Sequence, residues 1–407
     1  MVDAFIIDAC RTPRGIGKQI KGSLAHLHPQ HLGSTVLRAL QERNGFDSAD
    51  VDDVVWGTSS QVSEQSGDLG RMSALDAGYD VRASGVTLDR FCGSGITSAS
   101  IAATSVMAGM EDLVVSGGTE MMSLPKKGLM PMGAGNLHLQ SIHPQSHQGV
   151  CADAIATMEA IPRTALDALA AESQARAEVA IAEGRFDRSL VAVLNLDGSM
   201  ALDHDEFPRP GTTAESLAAL APSFPAVADY RHTPEAPTFR ELINQKYPDV
   251  DIQHVHHAGN SSGVVDGSAA ILWASGDYAS AHGLTPRARV VAVANMGDDP
   301  TLMLNAPVPA AYKVLDRAGM TIDDIDLFEI NEAFAVVAEK FQRDLGLDRD
   351  KVNVNGGAMA LGHPIGATGA ILIGTVLDEL ERQDKQVGLV TMCAGGGMAP
   401  AIIIERV

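Results

Sequence analysis

The sequence has few cysteines and few basic residues for its length. Its four cysteines, Cys10, Cys92, Cys151 and Cys393, lie far apart and show no C-x-x-C spacing. This argues against a disulfide framework and against a cysteine zinc site, so Cys10 and Cys151 are expected to be structural. Lys and Arg number 30 against 51 Asp and Glu, a net charge of −21. Such an acidic chain is a poor partner for nucleic acid or for an anionic membrane.

Long apolar runs and nucleotide-binding glycine motifs are also missing. No run approaches the roughly 20 apolar residues that span a bilayer, and residues 1–3 lack the basic start of a signal peptide. No G-x-G-x-x-G follows a strand and no P-loop is present, so dinucleotide and nucleotide triphosphate chemistry are unsupported. We therefore expect a cytoplasmic protein with no transmembrane segment. Its 407 residues are enough for two domains with cores.

Cys92 is informative because it lies between a strand-like run and a helical run. Residues 85–88 favour a strand, and the small residues from Ile96 to Ala108 favour a helix. A thiol at the start of a helix faces unpaired backbone N–H groups, which favour the thiolate. Two interpretations stay open at this point. Cys92 is either a nucleophile with a lowered pKa or a buried structural cysteine that acts as a small hydrophobe.

Two glycine-rich stretches near the far end of the chain favour the first interpretation. Residues 353–370 contain His363 beside Pro364, and residues 391–400 contain Cys393. Glycines at this density let backbone and ligand approach closely, although plain turns also use them. A histidine supplies a base and a second thiol supplies an acid. Cys92, His363 and Cys393 therefore form a candidate catalytic set.

Two groups of histidines raise the possibility of a metal site. His254, His256 and His257 lie together, and three more histidines recur between residues 138 and 147. Neither group has an H-E-x-x-H or a mixed Cys/His pattern. We therefore interpret them as loop or packing histidines and predict no metal site.

The chain repeats one pattern in its two halves. An acidic lead-in and an apolar strand occur at residues 50–57 and again at residues 323–331. Further along each half, a helix of small residues and a second apolar strand follow, at residues 113–115 and 388–392. Continuous apolar strands separated by helices indicate sheets covered on both faces. We predict an α/β fold built from two similar halves.

The stretch between the halves differs in composition. From about residue 121 to residue 251 it is rich in Pro, Gly and His, apart from one strongly predicted helix from Arg163 to Gly184. An excursion this long is expected to do more than connect two elements. We divide the chain into a first half at residues 1–120 plus 252–276, an inserted region at 121–251 and a second half at 277–407.

Five blocks in order resemble the thiolase family over essentially the whole chain. They are the Cys92 block, residues 257–267, residues 331–334 and the two glycine-rich stretches. The resemblance implies a duplicated αβαβα five-layer fold, with a site where the halves meet and an inserted loop domain that covers coenzyme A (CoA). It implies acyl transfer with CoA as co-substrate and no bound cofactor. Residues 313–407 are most similar to β-subunits of bacterial trifunctional fatty-acid oxidation complexes.

The same resemblance implies roles for individual residues. Cys92 would be the acylated nucleophile, His363 its base, and Cys393 the acid or base at the α-carbon. His363 and a water held by Asn331 would bind the enolate oxygen, while the N–H groups of Cys92 and Gly395 would bind the thioester oxygen. Contacts to substrate or CoA are expected from Ser262, His147, Phe334 and Met303.

We therefore predict a 3-ketoacyl-CoA thiolase of fatty-acid β-oxidation. The alternative within the class is a short-chain acetoacetyl-CoA thiolase. A non-catalytic acyl-CoA-binding scaffold subunit is the alternative from another class, and the intact candidate set argues against it. A β-ketoacyl synthase normally has one cysteine with two histidines, so Cys393 argues against that assignment.

The resemblance also suggests partners. We expect a homodimer through the first half, with residues 121–251 available to bind a hydratase/dehydrogenase α-subunit of a trifunctional complex. Because CoA is polyanionic and this chain is acidic, local positive charge must compensate. The candidates between the two halves are Lys126, Lys127, Arg231, Arg240 and Lys246. The alternative interpretation, which is the commoner case for such residues, is that each is an ordinary solvated charge.

Overall fold

The structure is a computed structural model that describes residues 2–124, 132–133 and 135–407. The first elements are β1 (Ala4–Arg11), β2 (Gly15–Ile16), α1 (Pro29–Asn44), β3 (Asp53–Gly57), α2 (Leu69–Ala77), β4 (Val86–Leu88), α3 (Ser94–Met107) and β5 (Leu113–Met121). The middle of the chain forms α4 (Leu137–Ile142), α5 (Gln148–Met158), α6 (Arg163–Ala182), β6 (Val193–Leu194), β7 (Met200–Leu202), α7 (Ala214–Ala218), α8 (Pro225–Ala228) and α9 (Phe239–Lys246). The remaining elements are β8 (Val265–Ser275), α10 (Gly276–His282), β9 (Ala288–Gly297), α11 (Pro307–Ala318), β10 (Leu327–Ile330), α12 (Ala335–Leu345), α13 (Ala358–Leu361), α14 (Ile365–Arg382), β11 (Val387–Thr391) and β12 (Met398–Arg406).

One ten-stranded sheet runs through both halves of the described chain, and β6 and β7 form a separate two-stranded sheet. The strand order of the large sheet is β10-β11-β12-β9-β1-β8-β5-β3-β4, and β2 pairs with β8. The two halves join where β1 and β9 run antiparallel, with Phe5 opposite Arg289 and Ile6 opposite Ala288. The sheets predicted for the separate halves are therefore continuous at this seam.

The predicted duplication is confirmed strand by strand. In the first half, β3 is parallel to β5, β5 is antiparallel to β8, and β8 is antiparallel to β1. Strands β10, β11, β12 and β9 repeat these relations in the second half. A short 3-10 helix lies before the first strand of each set, at Ser48–Asp50 and Ile322–Asp324. The counterpart of β4 in the second half is reduced to one parallel bridge between Phe328 and Val352.

Helices α3 and α14 form the central layer of the molecule. Each of them contacts strands of both halves, whereas α1 and α2 pack on the strands of the first half and α11 packs on β9 and β12. The order is therefore helix, strands of the first half, helix, strands of the second half, helix, with the two sets of strands joined, within the described residues, only at the seam between β1 and β9. This confirms the predicted αβαβα arrangement.

The first turns of α3 and α14 meet backbone to backbone. A Cβ atom at Gly369 would lie 2.0 Å from the Ile96 nitrogen, and one at Gly95 would lie 2.8 Å from the Gly369 nitrogen. Glycine at both positions permits this approach. Since the contact lies at the start of both helices, it brings the residues just before them, Cys92 and His363, into one region.

The inserted region, which lies between β5 and β8, packs largely on the second half. Helix α6 contacts α12 and α13, and α5 contacts α9 and α12. The helix predicted from Arg163 begins there and ends at Ala182, and Gly184 just beyond it has a φ of +67°, as is usual for a helix-terminating glycine. Within the described ranges, no helix is both long enough and apolar enough to cross a membrane. The division of the chain into three regions stays a prediction.

Candidate active site

Cys92 lies in a tight turn immediately before α3. The preceding Phe91 has a φ of +50°, a conformation that costs a non-glycine residue roughly 1–2 kcal/mol. Two side chains hold it: Asp89 accepts the Phe91 N–H at 2.6 Å, and the Ser94 hydroxyl accepts the Arg90 N–H at 2.9 Å. The turn is thus fixed by the local sequence. Among the four cysteines Cys92 is half-buried, whereas the others are buried.

The Cys92 thiol is not activated in the way that the sequence predicts. Burial raises its pKa to about 12, and the Glu120 carboxylate raises it further, while the N–H groups of Cys92 and Gly395 act in the opposite direction. The predicted lowering by the helix N-terminus is therefore wrong for the free protein, because loss of solvent outweighs those two donors. The thiol is neutral near pH 7. It needs a base to become a nucleophile.

The imidazole of His363 is held in one tautomer. Its Nδ1 lies 2.6 Å from the Thr368 hydroxyl, which donates its own proton to the Pro364 carbonyl at 3.1 Å. The side-chain amide nitrogen of Asn331 lies 3.3 Å from Nε2 and can only donate, so Nε2 is the acceptor. Nδ1 then carries the hydrogen, and the Thr368 hydroxyl accepts it. Nε2 is the nitrogen that can take a proton.

Burial and charge keep this imidazole unprotonated. Burial lowers the pKa of His363 to about 3, and the nearby Arg14 guanidinium contributes to the lowering. The residue before it, Gly362, has a φ of +94°, and a Cβ atom there would lie 2.5 Å from the Val265 side chain. Glycine is therefore required at this bend. The result is a neutral base fixed in a rigid turn.

Asn331 adds a hydrogen-bonding group with a free acceptor. It follows β10, is fully buried, and its backbone N–H donates to the Thr391 carbonyl at 3.3 Å. Its side-chain oxygen has no hydrogen-bond partner among the described residues. A buried amide oxygen in this condition is suited to hold a donor such as water.

Cys393 and Gly395 come from the turn between β11 and β12. Cys393 is buried, and its pKa is raised first by burial and then by the neighbouring Cys92 sulfur. A Cβ atom at Gly395 would lie 2.3 Å from the end of the Met132 side chain and 2.9 Å from the Phe91 ring. The turn therefore places one thiol and one backbone donor beside Cys92. Met132 and Phe91 bound the same space.

The structure places the four predicted substrate contacts in different surroundings. Ser262 lines a large cavity, and the next residue, Gly263, accepts the backbone N–H of His363 at 2.9 Å. The His147 and Phe334 rings both pack on Phe224, each with ring centroids 5.9 Å apart. Met303 lies in the core of the second half with a φ of +64°. It does not line the large cavity.

The large cavity has a volume of about 800 Å³ and lies between the β2 turn, α7 and residues 258–264. This is within the usual size range of ligand pockets. Three basic side chains line it, those of Lys18, Lys21 and Arg209. The Arg209 guanidinium also lies 5.7 Å from the centre of the Phe207 ring. The cavity can therefore receive an anionic ligand, and one of its lining residues, Gly263, is hydrogen-bonded to His363.

Comparisons with known proteins identify the family. The family model of the thiolase N-terminal domain matches residues 4–229, and that of the thiolase C-terminal domain matches residues 284–406. The chain belongs to the thiolase family. It is an acyltransferase.

Relatives of this thiolase carry two kinds of name. An acetyl-CoA acetyltransferase of Thiocystis violacea is 38% identical over 98% of both chains. A steroid 3-ketoacyl-CoA thiolase of Mycobacterium tuberculosis is 37% identical over 100% of this chain and 95% of its own. A 3-ketoacyl-CoA thiolase of Aeromonas hydrophila is 37% identical over 100% of both. The crystal structure of the Bacillus anthracis acetyl-CoA acetyltransferase aligns with a TM-score of 0.85 and 31% identity, over 100% of this chain and 99% of its own.

The clustered histidines of this thiolase bind buried carboxylates. Nδ1 of His254 and Nδ1 of His256 lie 2.6 and 2.8 Å from the two oxygens of Asp153. Nε2 of His257 lies 2.8 Å from Asp167. Among the described residues, no group of three or more His, Cys, Asp or Glu side chains is arranged to hold a metal ion.

Of the basic residues predicted between the halves, those that the structure describes do not line the cavity. Lys126 and Lys127 lie outside the described residues. Arg231, Arg240 and Lys246 form ion pairs with Glu241, Asp229 and Asp299, respectively. Sequence reasoning missed the lysines that do line it, although the run of Gly15, Gly17 and Gly22 around Lys18 and Lys21 was a usable signal. Arg209 stands alone in a Pro-rich loop and gave no signal.

Proposed function

We propose that this thiolase cleaves 3-ketoacyl-CoA with CoA, giving acetyl-CoA and a shortened acyl-CoA, in fatty-acid β-oxidation. The observation that carries the proposal is the convergence of Cys92, His363, Cys393 and Asn331. They come from four separate segments: the turns before α3 and α14 and the residues that follow β11 and β10. A scaffold subunit that only binds acyl-CoA has no use for two thiols and a neutral imidazole in one place.

Acyl transfer to the protein is the first step. Nε2 of His363 takes the proton of Cys92, and the sulfur attacks the 3-keto carbon. A C–S bond forms, the bond between carbons 2 and 3 breaks, and its electron pair becomes the enolate of acetyl-CoA. The thiol with its raised pKa makes this base necessary. The acyl chain is then held on Cys92.

Protonation of the enolate and release complete the cycle. Cys393 donates its proton to carbon 2, which yields acetyl-CoA. The Cys393 thiolate then recovers the proton that His363 took from Cys92. An incoming CoA thiol, deprotonated by the freed His363, attacks the acyl-Cys92 thioester. The bond between the acyl carbon and the Cys92 sulfur breaks, and His363 returns the proton to that sulfur. In the reverse direction the Cys393 thiolate would abstract the α-proton of acetyl-CoA. A positioned acid or base of this kind typically contributes 10²–10⁴-fold.

Fixed donors stabilise the charge that develops on oxygen. The Asn331 oxygen, which lacks a partner among the described residues, would hold a water against the enolate oxygen beside His363. The N–H groups of Cys92 and Gly395, which face the Cys92 sulfur, would serve the thioester oxygen. Removing one such donor costs about 3 kcal/mol in the transition state.

The large cavity is the proposed CoA site. Lys18, Lys21 and Arg209 supply positive charge for the phosphates of CoA on a chain whose net charge is −21. Ser262 lines this cavity next to Gly263, whose carbonyl accepts the backbone N–H of His363. We propose that the rings of His147 and Phe334 cover the pantetheine arm.

Acetoacetyl-CoA thiolase is the second candidate, because relatives of nearly equal identity are named acetyl-CoA acetyltransferase. Thiolysis rates across a series from acetoacetyl-CoA to long-chain 3-ketoacyl-CoA separate the two. We expect the highest kcat/KM on a chain longer than acetoacetyl. Activity confined to acetoacetyl-CoA would support the second candidate. Cys92→Ala should abolish turnover, whereas Cys10→Ala, which removes a buried thiol bonded to the Val36 carbonyl, should not.

We further propose a cytoplasmic homodimer that can bind a hydratase/dehydrogenase α-subunit through residues 121–251. Tethering the two sites would raise the effective concentration of the 3-ketoacyl-CoA that is passed on. Co-purification from the native host followed by mass measurement tests this. A dimer or tetramer of this chain alone, without hydratase or dehydrogenase activity, would disprove the α-subunit.

A further inference from the structure

Arg14 is a buried arginine directly behind the candidate base. It lies between β1 and β2 and is 5% exposed. One guanidinium nitrogen donates to the Gly362 carbonyl at 3.4 Å, while Nε has no hydrogen-bond partner among the described residues. The nearby carboxylate of Asp205 is bound on both oxygens by Arg11, at 2.8 and 2.9 Å, and takes only the backbone N–H of Arg14. Arginine is rarely buried without a close acidic partner, so this one calls for an explanation.

Glu329 is the acidic group across from it, but the two side chains do not form an ion pair. Glu329 is 3% exposed, and its Oε2 has no partner among the described residues. Arg14, Glu329, Asn331 and Thr368 line one small cavity of about 10 Å³, roughly the space of one water. The arginine and the glutamate are therefore neighbours of both Asn331 and the group that fixes the His363 tautomer.

Burial shifts the pKa of both groups towards their uncharged forms. Burial raises the pKa of Glu329 well above its ordinary value, and Glu332 and Glu379 add to this, while Arg14 opposes it. Burial lowers the pKa of Arg14 to about 10, and Arg11 contributes to the lowering. The arginine keeps its charge near pH 7, whereas burial disfavours the charged form of the glutamate. A fixed positive charge lies behind His363.

We propose that Arg14 is a positioning residue for His363: its guanidinium holds the Gly362 carbonyl and places a permanent positive charge behind the imidazole. The proposal rests on the proposed function, in which His363 must be neutral to accept a proton. A buried cation disfavours the imidazolium, so Nε2 stays available at lower pH than it otherwise would. The same charge favours the enolate that forms in front of the ring.

Other ionisable groups also face the His363 turn. Glu120 of β5 accepts the Gly366 N–H at 2.9 Å. Cys92 lies before α3, Cys393 follows β11, and Glu329 and Glu332 lie on and just after β10. Loss of Arg14 is expected to raise the pKa of His363, because a neighbouring cation is removed. None of these other groups is a cation, so removing one of them would not raise that pKa.

Three substitutions separate charge from hydrogen bonding. Arg14→Lys keeps a charge and a donor, Arg14→Gln keeps a donor without charge, and Arg14→Met keeps neither. Arg287→Met is the matched control for a buried arginine, because Arg287 is 6% exposed and pairs with Asp378 and Glu381. Those acids lie near the far end of α14, about 20 Å along the helix from His363.

The readout is the rate of Cys92 alkylation by iodoacetamide as a function of pH, measured on the Cys92 peptide by mass spectrometry. On the acid side of the profile, the alkylation rate falls to half at a midpoint pH. Arg14→Gln and Arg14→Met should raise this midpoint by about one pH unit, which corresponds to a tenfold lower rate at a given pH below it. Arg14→Lys and Arg287→Met should leave it within about 0.3 unit. If Arg14→Met fails to fold, the comparison of Arg14→Gln with Arg14→Lys still shows whether the positive charge sets the midpoint.

An unchanged midpoint in Arg14→Gln, or an equal shift in Arg14→Lys, would overturn the proposal. The alkylation needs no turnover, so a failure of thiolysis in the wild-type protein would count against the proposed function alone. The pH dependence of kcat/KM then gives an independent check. Its acid limb should move in the same direction as the alkylation midpoint.

Discussion

The Thr368 hydroxyl accepts Nδ1–H of His363 at 2.6 Å and gives its own proton to the Pro364 carbonyl. This pair decides which imidazole nitrogen is free. Because α14 begins between the two residues, the helix itself sets their spacing. The base is therefore positioned by the same element that packs against α3 and Cys92.

Replacing Thr368 by valine tests this relationship. The valine has nearly the same shape but no acceptor, so Nδ1–H is left buried and unpaired. We expect kcat to fall at least about tenfold through loss of the tautomer and the free energy of unfolding to fall by about 1–3 kcal/mol. Thr368→Ser keeps the hydroxyl and should stay within a few-fold of wild type. Equal kcat values for the two variants would contradict the assignment.

Removing the basic residues of the large cavity should weaken CoA binding. Lys18→Ala, Lys21→Ala and Arg209→Ala should each raise KM for CoA several-fold with little change in kcat, since the charges contact the ligand far from the reacting atoms. The differences should shrink at high salt. Arg231→Ala is the control, because that side chain already pairs with Glu241. A KM change as large in the control would show that the cavity does not bind CoA.

Cys393→Ala should separate the two half-reactions. Acetyl transfer from acetyl-CoA to Cys92 generates no carbon acid and should persist. Exchange of the α-protons and C–C bond cleavage should fall by at least about 10²-fold. Deuterium exchange at the acetyl methyl, followed by NMR, measures this. Undiminished exchange would remove Cys393 from the mechanism.

Much of the architecture is readable from the sequence because it rests on local patterns. The repeated acidic lead-in and apolar strand correspond to β3 and β10, and the small-residue run after Cys92 forms α3. The seam between β1 and β9 is different, since it joins strands some 280 residues apart that carry no shared local signal.

The chemistry of the site is less readable. Helix position alone predicts a lowered pKa for Cys92, but burial depends on how both halves pack around the sulfur and reverses the direction. Likewise, the positive charges were expected in the inserted region, where the acidic partners of Arg231, Arg240 and Lys246 neutralise them. Tertiary contacts decide both questions.

The close approach of α3 and α14 gives a stability prediction. Gly369→Ala places a methyl group 2.0 Å from the Ile96 nitrogen, so the free energy of unfolding should fall by about 1–3 kcal/mol. Gly297→Ala is the matched control, because a Cβ atom there meets no described atom within 4 Å. It should change stability by no more than about 0.5 kcal/mol. Equal urea midpoints for the two variants would contradict the backbone contact.

The most direct test of the account is the intact mass of the protein after brief mixing with 3-ketoacyl-CoA in the absence of free CoA. The account predicts one acyl adduct, located on Cys92 by peptide mapping and absent from Cys92→Ser, since a hydroxyl is a poor nucleophile at its ordinary pKa. Cys10→Ala and Cys151→Ala should still form it. A stable acyl adduct on another cysteine, or an undiminished adduct in Cys92→Ser, would contradict the central claim.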